Sequence, residues 1–198
     1  MLANLLPATF AFLATDMDDL FLLVTFLMVA VNEPAAKSRG DIWKVFIGQV
    51  IAFAMIVFAS DLGSFGIKLL PQQFIAGLGA VPFFLGCQVF WSEHHEKREH
   101  QKKQINQHVV SVGFVMLTIL ADGGDNLGVY IPYFASLDTK MLLWTNLYLM
   151  VLICLWCALG LRLTRFKDFE TFFHKHGENL TGTILIVLGL MLIFKGLR

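Results

Sequence analysis

Six runs of mostly apolar residues, roughly 2–31, 42–63, 72–92, 108–136, 141–163 and 178–197, leave this chain few folds to choose from. Each reaches the ~20 residues that a helix needs to cross a bilayer, where only helices and closed barrels satisfy their own backbone groups. Pro34, Gly40 and Pro71 stand in the gaps between runs, as helix breakers should. The composition agrees, with 57% hydrophobic and 15% charged residues, and the expected fold class is an all-α membrane protein of six transmembrane helices. Trp43, Trp91 and Trp144 fall near expected helix ends, where interfacial aromatics belong. The first and fourth runs exceed the required length by about ten residues, and both are expected to be broken helices with an irregular part at mid-depth.

Basic residues set the expected orientation. Of the fifteen Lys and Arg, eleven lie on one side: Lys37, Arg39, Lys44, Lys97, Arg98, Lys102, Lys103, Arg162, Arg165, Lys167 and Lys175. Lys68, Lys140, Lys195 and Arg198 lie on the other. The positive-inside rule places the first side in the cytoplasm, so the expectation is a multi-pass protein of the cytoplasmic membrane with both termini outside. No Lys or Arg precedes Lys37, so a cleavable signal peptide is not expected. The formal net charge is zero, which excludes the basic field that a nucleic-acid partner requires.

The two halves look related. Asp18-Asp19-Leu20 reappears 107 residues later as Asp125-Asn126-Leu127, and Gly79 and Gly86 reappear as Gly182 and Gly189. A three-span unit repeated in tandem must be inverted in the membrane, because an odd number of crossings changes sides. The expected organisation is a first three-helix repeat over 1–92, a charged cytoplasmic loop over 93–107, and a second repeat over 108–198.

Acids inside the apolar runs carry the functional signal. Asp16, Asp18 and Asp19 sit in the first run, and Asp122, Asp125 and Asn126 in the fourth. Three Asp at a helix centre cost about 7–10 kcal/mol on the insertion scale. The apolar side chains of the first run return about 4–9 kcal/mol on the same scale, so the acids must face protein, water or a cation. Polar groups such as Thr15, Gln49 or Asn146 could serve as purely structural partners. Clustering at repeat-related positions favours a cation site instead. Carboxylate and amide oxygens suit hard divalent metals. Gly123 and Gly124 are expected to let the fourth helix unwind and free its carbonyls, and Pro132 to interrupt the ladder one turn on. Acids sharing a desolvated site raise one another's proton affinity, which makes proton–metal exchange the expected coupling.

The stretches ATDMDDL (14–20), IGQ (47–49) and GGDNLGVYIPYF (123–134) resemble the cadmium resistance transporter family, within a superfamily of small six-span exporters. The resemblance covers essentially the whole chain. It implies efflux of a divalent cation, cadmium by the family's name or alternatively manganese or zinc, with Asp18, Asp125 and Asn126 matching the family's polar signature. Asp19, Asp16 and Asp122 are then extra ligands or proton carriers, and Gln49 is a candidate to complete the shell. Asp16 and Asp122 stand where the family pattern suggests an uncharged residue, a symmetric pair of added acids that shifts the expected preference toward harder ions.

Other features carry less. Cys154 and Cys157 share one face of the fifth run at i and i+3, a spacing that suits soft ions, although cysteine also packs as a small apolar residue. His94, His95 and His100 could collect metal in the charged loop, which reads more simply as a solvated linker. Asp61 reads as an interfacial residue or an exit site. No nucleotide-binding or nucleophile motif appears, so the chain is not expected to be an enzyme, nor to hold a resident cofactor. Its partners are the cation, protons and the bilayer, with homo-oligomerisation left open. A cationic amino-acid exporter and a non-transporting metal sensor or scaffold are the alternatives. The first lacks a basic residue at mid-depth for the carboxylate of its substrate, and the second would depend on residues 93–104.

Overall fold

Helix α1 runs from Leu2 to Asn32 without interruption, although three acids lie inside it. The expected break is absent for a physical reason. The stretch contains no glycine, its single proline is Pro7, and Asp in place of Ala costs a helix only about 0.7 kcal/mol. The computed structural model describes residues 2–32, 35–67 and 110–166, together with 80, 81, 83, 84, 87, 183–188, 190 and 193. The side chains of residues 2–4, 18, 35–37 and 125 are outside that description. Most of the third and sixth apolar runs, and the whole His-bearing loop, also lie outside the described residues.

Helix α2 spans Ala35–Ile67, and Gly40 sits within it rather than ending it. One helical glycine costs about 1 kcal/mol, too little to end a helix that long. The fourth run is broken as expected. Helix α3 (Val112–Asp122) and helix α4 (Gly124–Ala135) meet at Gly123 with a bend of 72°. Ser111 caps α3, its hydroxyl accepting from the Phe114 amide at 3.2 Å. Pro132 lies inside α4 and does not make the break. A three-residue turn leads to helix α5 (Thr139–Leu163), capped by the Asp138 carboxylate, which accepts from the Met141 amide at 3.1 Å.

All five of these elements are α-helices. Two of them, α2 from Ser38 and α5, are long and apolar enough to cross a membrane, and the bent pair α3–α4 makes a third if counted as one span. Exposed side chains recur every four residues or so along α2 (Ile47, Ile51, Met55, Phe58, Leu62) and along α5 (Leu143, Leu147, Val151, Leu155, Leu159). Stripes this apolar and this open belong against lipid. Helix α1 is different. Every residue from Asp19 to Leu27 is buried, and the helix packs against α2, α3, α4 and α5.

Close approaches fix the directions. Gly48 of α2 lies against Val115, and Gly63 against Ile131. Between them Ile56 lies against Gly123, so α2 runs parallel to α3–α4. In the same way Thr9 bonds Tyr148, Trp156 bonds the main chain at Asp16, and Gly160 lies against Leu23, so α1 runs parallel to α5. Phe12 stacks edge-on against Phe53 with ring centroids 5.6 Å apart. Earlier α1 residues thus share a core with later α2 residues, and these two helices are antiparallel.

Candidate cation site

Two apolar clusters divide the bundle along its length. One takes Ala8, Ala11, Phe12 and Ala14 of α1 with Phe53, Ile56, Val129, Tyr133 and Leu149. The other takes Leu20 to Val24, Phe26 and Leu27 of α1 with Val45, Val115, Ile119 and Cys157. Between them lie residues 15–19 of α1 and residues 122–127 around the Gly123 break. Both acidic stretches, 107 residues apart in sequence, therefore occupy the same level of the bundle.

Asp16 is completely buried. The Tyr130 hydroxyl, from α4, donates to its Oδ2 at 3.1 Å. Thr15 Oγ1 lies 3.1 Å from the same oxygen and 3.0 Å from the Tyr130 hydroxyl, closing a triangle of oxygens. The indole N–H of Trp156, from α5, donates to the Asp16 main-chain carbonyl at 3.0 Å. Asp16 is thus tied to two other helices, by its side chain to one and by its backbone to the other. Asp19 is 2% exposed and shares this enclosure.

At the break, Asp122 is the last residue of α3 and is half-buried, while Asn126 lies in the first turn of α4 and is 2% exposed. Position 125 falls in that same first turn. A helix N-terminus favours negative charge there, whereas the carbonyl end of α3 favours a cation. Gly123 has φ −74° and ψ 15°, which any residue can adopt, and no described residue has positive φ. Its glycine eases packing instead: a Cβ there would stand 2.5 Å from Ile56 Cδ1, the movable end of that side chain, and 3.1 Å from the Ile119 carbonyl. Asp16 and Asp122 are not equivalent. In the 107-residue register Asp16 corresponds to Gly123, and Asp122 corresponds to Thr15.

Gln49 is wholly buried and Asn126 nearly so. Neither amide atom of Gln49, nor Nδ2 of Asn126, has a hydrogen-bond partner among the described residues. Among the described residues, no group of three His, Cys, Asp or Glu side chains is placed to hold a metal ion. The Asp18 and Asp125 side chains lie outside that set. Cys157 is buried and Cys154 exposed, so the two thiols do not share an interior face. Farther along α2, Asp61 Oδ2 accepts from Asn146 Nδ2 at 2.7 Å, joining α2 to α5.

Sequence reasoning missed Tyr130 and Trp156 as partners of the acids. Tyr130 could have been found: it lies one turn after Asn126, on the same face of α4, and buried phenols seek an acceptor. Trp156 left no local signal. Over residues 12–196 the chain matches the family described as cadmium resistance transporter. No curated protein and no solved structure matches it.

Proposed function

The chain belongs to the cadmium resistance transporter family, a transporter rather than an enzyme family, and from that premise we propose that it exports a divalent metal cation by secondary transport. Asp18, Asp125 and Asn126 are the core ligands, Asp16, Asp19 and Asp122 supply further charge or carry protons, and Gln49 completes the shell. The observation that carries this reading is the convergence of two acidic stretches at one level, between two apolar clusters, in a bundle whose outer helices present lipid-facing stripes. Carboxylates enclosed at that depth call for a compensating cation or protons. Emptying the site of metal would let protons take its place, so export runs by proton exchange.

The contact pattern supports six spans in two inverted repeats. The pairs Thr9–Tyr148, Asp16–Trp156 and Leu23–Gly160 join α1 to α5. They are mirrored by Val115–Gly48, Gly123–Ile56 and Ile131–Gly63, which join α3–α4 to α2. The first members differ by about 107 residues and the second by about 100, the relation that an inverted repeat requires of its two halves. Parallel courses of α2 and α3–α4 also demand an odd number of crossings between them. The apolar run 72–92 supplies one. With the basic residues inside, both termini lie outside the cell.

Proteoliposomes carrying the whole chain test this. Cadmium, zinc, manganese, magnesium and lysine are offered in turn, with and without an imposed pH gradient. Asp18→Asn and Asp125→Asn are each expected to lower metal flux by about tenfold or more. Unaltered flux in both variants removes the site assignment, selective lysine flux removes the ion class, and indifference to the pH gradient removes the proton coupling.

A further inference from the structure

Asp16 is one of the two acids, with Asp122, that stand where the family pattern suggests an uncharged residue, and it is held by side chains of two other helices. Its carboxylate is fully enclosed, yet it has a phenol from α4 and a threonine hydroxyl on the same oxygen, and an indole from α5 on its own carbonyl. Tyr130 spends its single proton on Asp16 Oδ2, and the Thr15 hydroxyl closes the triangle behind it. Tyr130 thereby fixes the rotamer of the carboxylate and withdraws charge from one oxygen. Carboxylates that ligate metals are characteristically held in this way, and such holding sets both orientation and donor strength.

The buried amides of the described helices are also donors of the hard kind. Gln49 of α2 is wholly buried with no partner for its Oε1 among the described residues, and Asn126 of α4 is 2% exposed. Asn126 lies one helical turn before Tyr130, so the two share a face of α4. The buried thiol of the described residues, Cys157, belongs instead to the apolar cluster around Leu20–Leu27. A site of carboxylate and amide oxygens favours hard, strongly hydrated cations, whereas thiolates select soft ones.

We propose that Tyr130 is a positioning residue that holds Asp16 as a hard oxygen ligand, and that this pair directs the transporter toward a hard divalent cation such as manganese over a soft one such as cadmium. The proposal rests on the metal-export reading above and names the substrate class of that same site. Asp16 supplies the charge, Tyr130 its orientation, and the two act as one unit.

The test is uptake of Mn²⁺ and Cd²⁺ into proteoliposomes bearing wild type, Tyr130→Phe, Asp16→Asn and the double variant, with apparent KM and maximal rate measured for each ion. Wild type is expected to prefer Mn²⁺. Tyr130→Phe keeps the ring and its packing, and is expected to raise KM for Mn²⁺ by about 10–100-fold while KM for Cd²⁺ stays within about threefold. Asp16→Asn should remove the same preference, and the double variant should be no worse than Asp16→Asn alone. A merely structural bond would lower the rates for both ions together, and that result overturns the proposal. Should Tyr130→Phe fail to fold, Asp16→Asn retains the acceptor for the phenol and carries the test, with a retained Mn²⁺ preference overturning it. Absence of flux for both metals in wild type overturns the export reading and this proposal with it, whereas failure of the preference alone leaves export standing.

Discussion

The two acidic stretches read alike in sequence and are accommodated in different ways. Around Asp16 the helix is continuous and the side chain is fully buried, and the burial is offset by side-chain hydrogen bonds reaching in from α4 and α5. Around Asp125 the helix itself gives way at Gly123, and the acidic position falls in the first turn of a new helix. An unbroken helix has no spare backbone groups at its middle, so an acid there depends on its neighbours' side chains. A break exposes carbonyls at one end and amides at the other, so an acid there can use the backbone. One polar level thus combines an unbroken helix with a broken one.

The largest expected effect comes from forcing each stretch to behave like the other. Met17→Pro removes a hydrogen bond in the middle of α1 and should cost about 3 kcal/mol or more. Gly124→Pro falls at the first position of α4, where no helical hydrogen bond is lost, and should cost less than Met17→Pro although it disfavours the conformation of Gly123. Unfolding midpoints in detergent, followed by tryptophan fluorescence, compare the two, and equal losses would erase the distinction. Next in size is the fit of the break against α2. Gly123→Ala should cost about 1 kcal/mol or less, because the Ile56 terminus can turn aside and only the Ile119 carbonyl is fixed. Ile56→Val deletes the clashing Cδ1, so the double variant should recover most of that loss. A Gly123→Ala protein as stable as wild type would mean that the break is not held by this contact. The smallest effect is a gain. Gly40 lies inside α2, where an added methyl would meet no atom within 4 Å, and Gly40→Ala should stabilise by up to about 1 kcal/mol. A loss there would show that α2 depends on flexibility at that position.

Much of the candidate site was legible because lipid makes acids expensive. Asp16, Asp18, Asp19, Asp122, Asp125, Asn126 and Gln49 stood out against apolar runs, and the motifs around them pointed to the family that the chain matches over residues 12–196. The break at Gly123 was legible for a related reason, since two successive glycines inside a helix weaken it where nothing else does. The reading went astray where it judged helix continuity from length alone. The ten extra residues of the first run became helix, not a break, because nothing in that stretch lacks an amide or a Cβ where it matters.

The sequence by itself determined a helical membrane protein and the acids that lipid will not accept, because hydropathy and charge act through solvent and need no partner to be read. Only the tertiary structure decided which groups satisfy those acids. Tyr130 and Trp156 lie more than one hundred residues from Asp16, and a hydrogen bond depends on distances that the order of residues does not carry. It also decided that Gly123 serves the approach of Ile56 rather than a special backbone conformation, and that Asp16 and Asp122, alike in charge, occupy unlike surroundings.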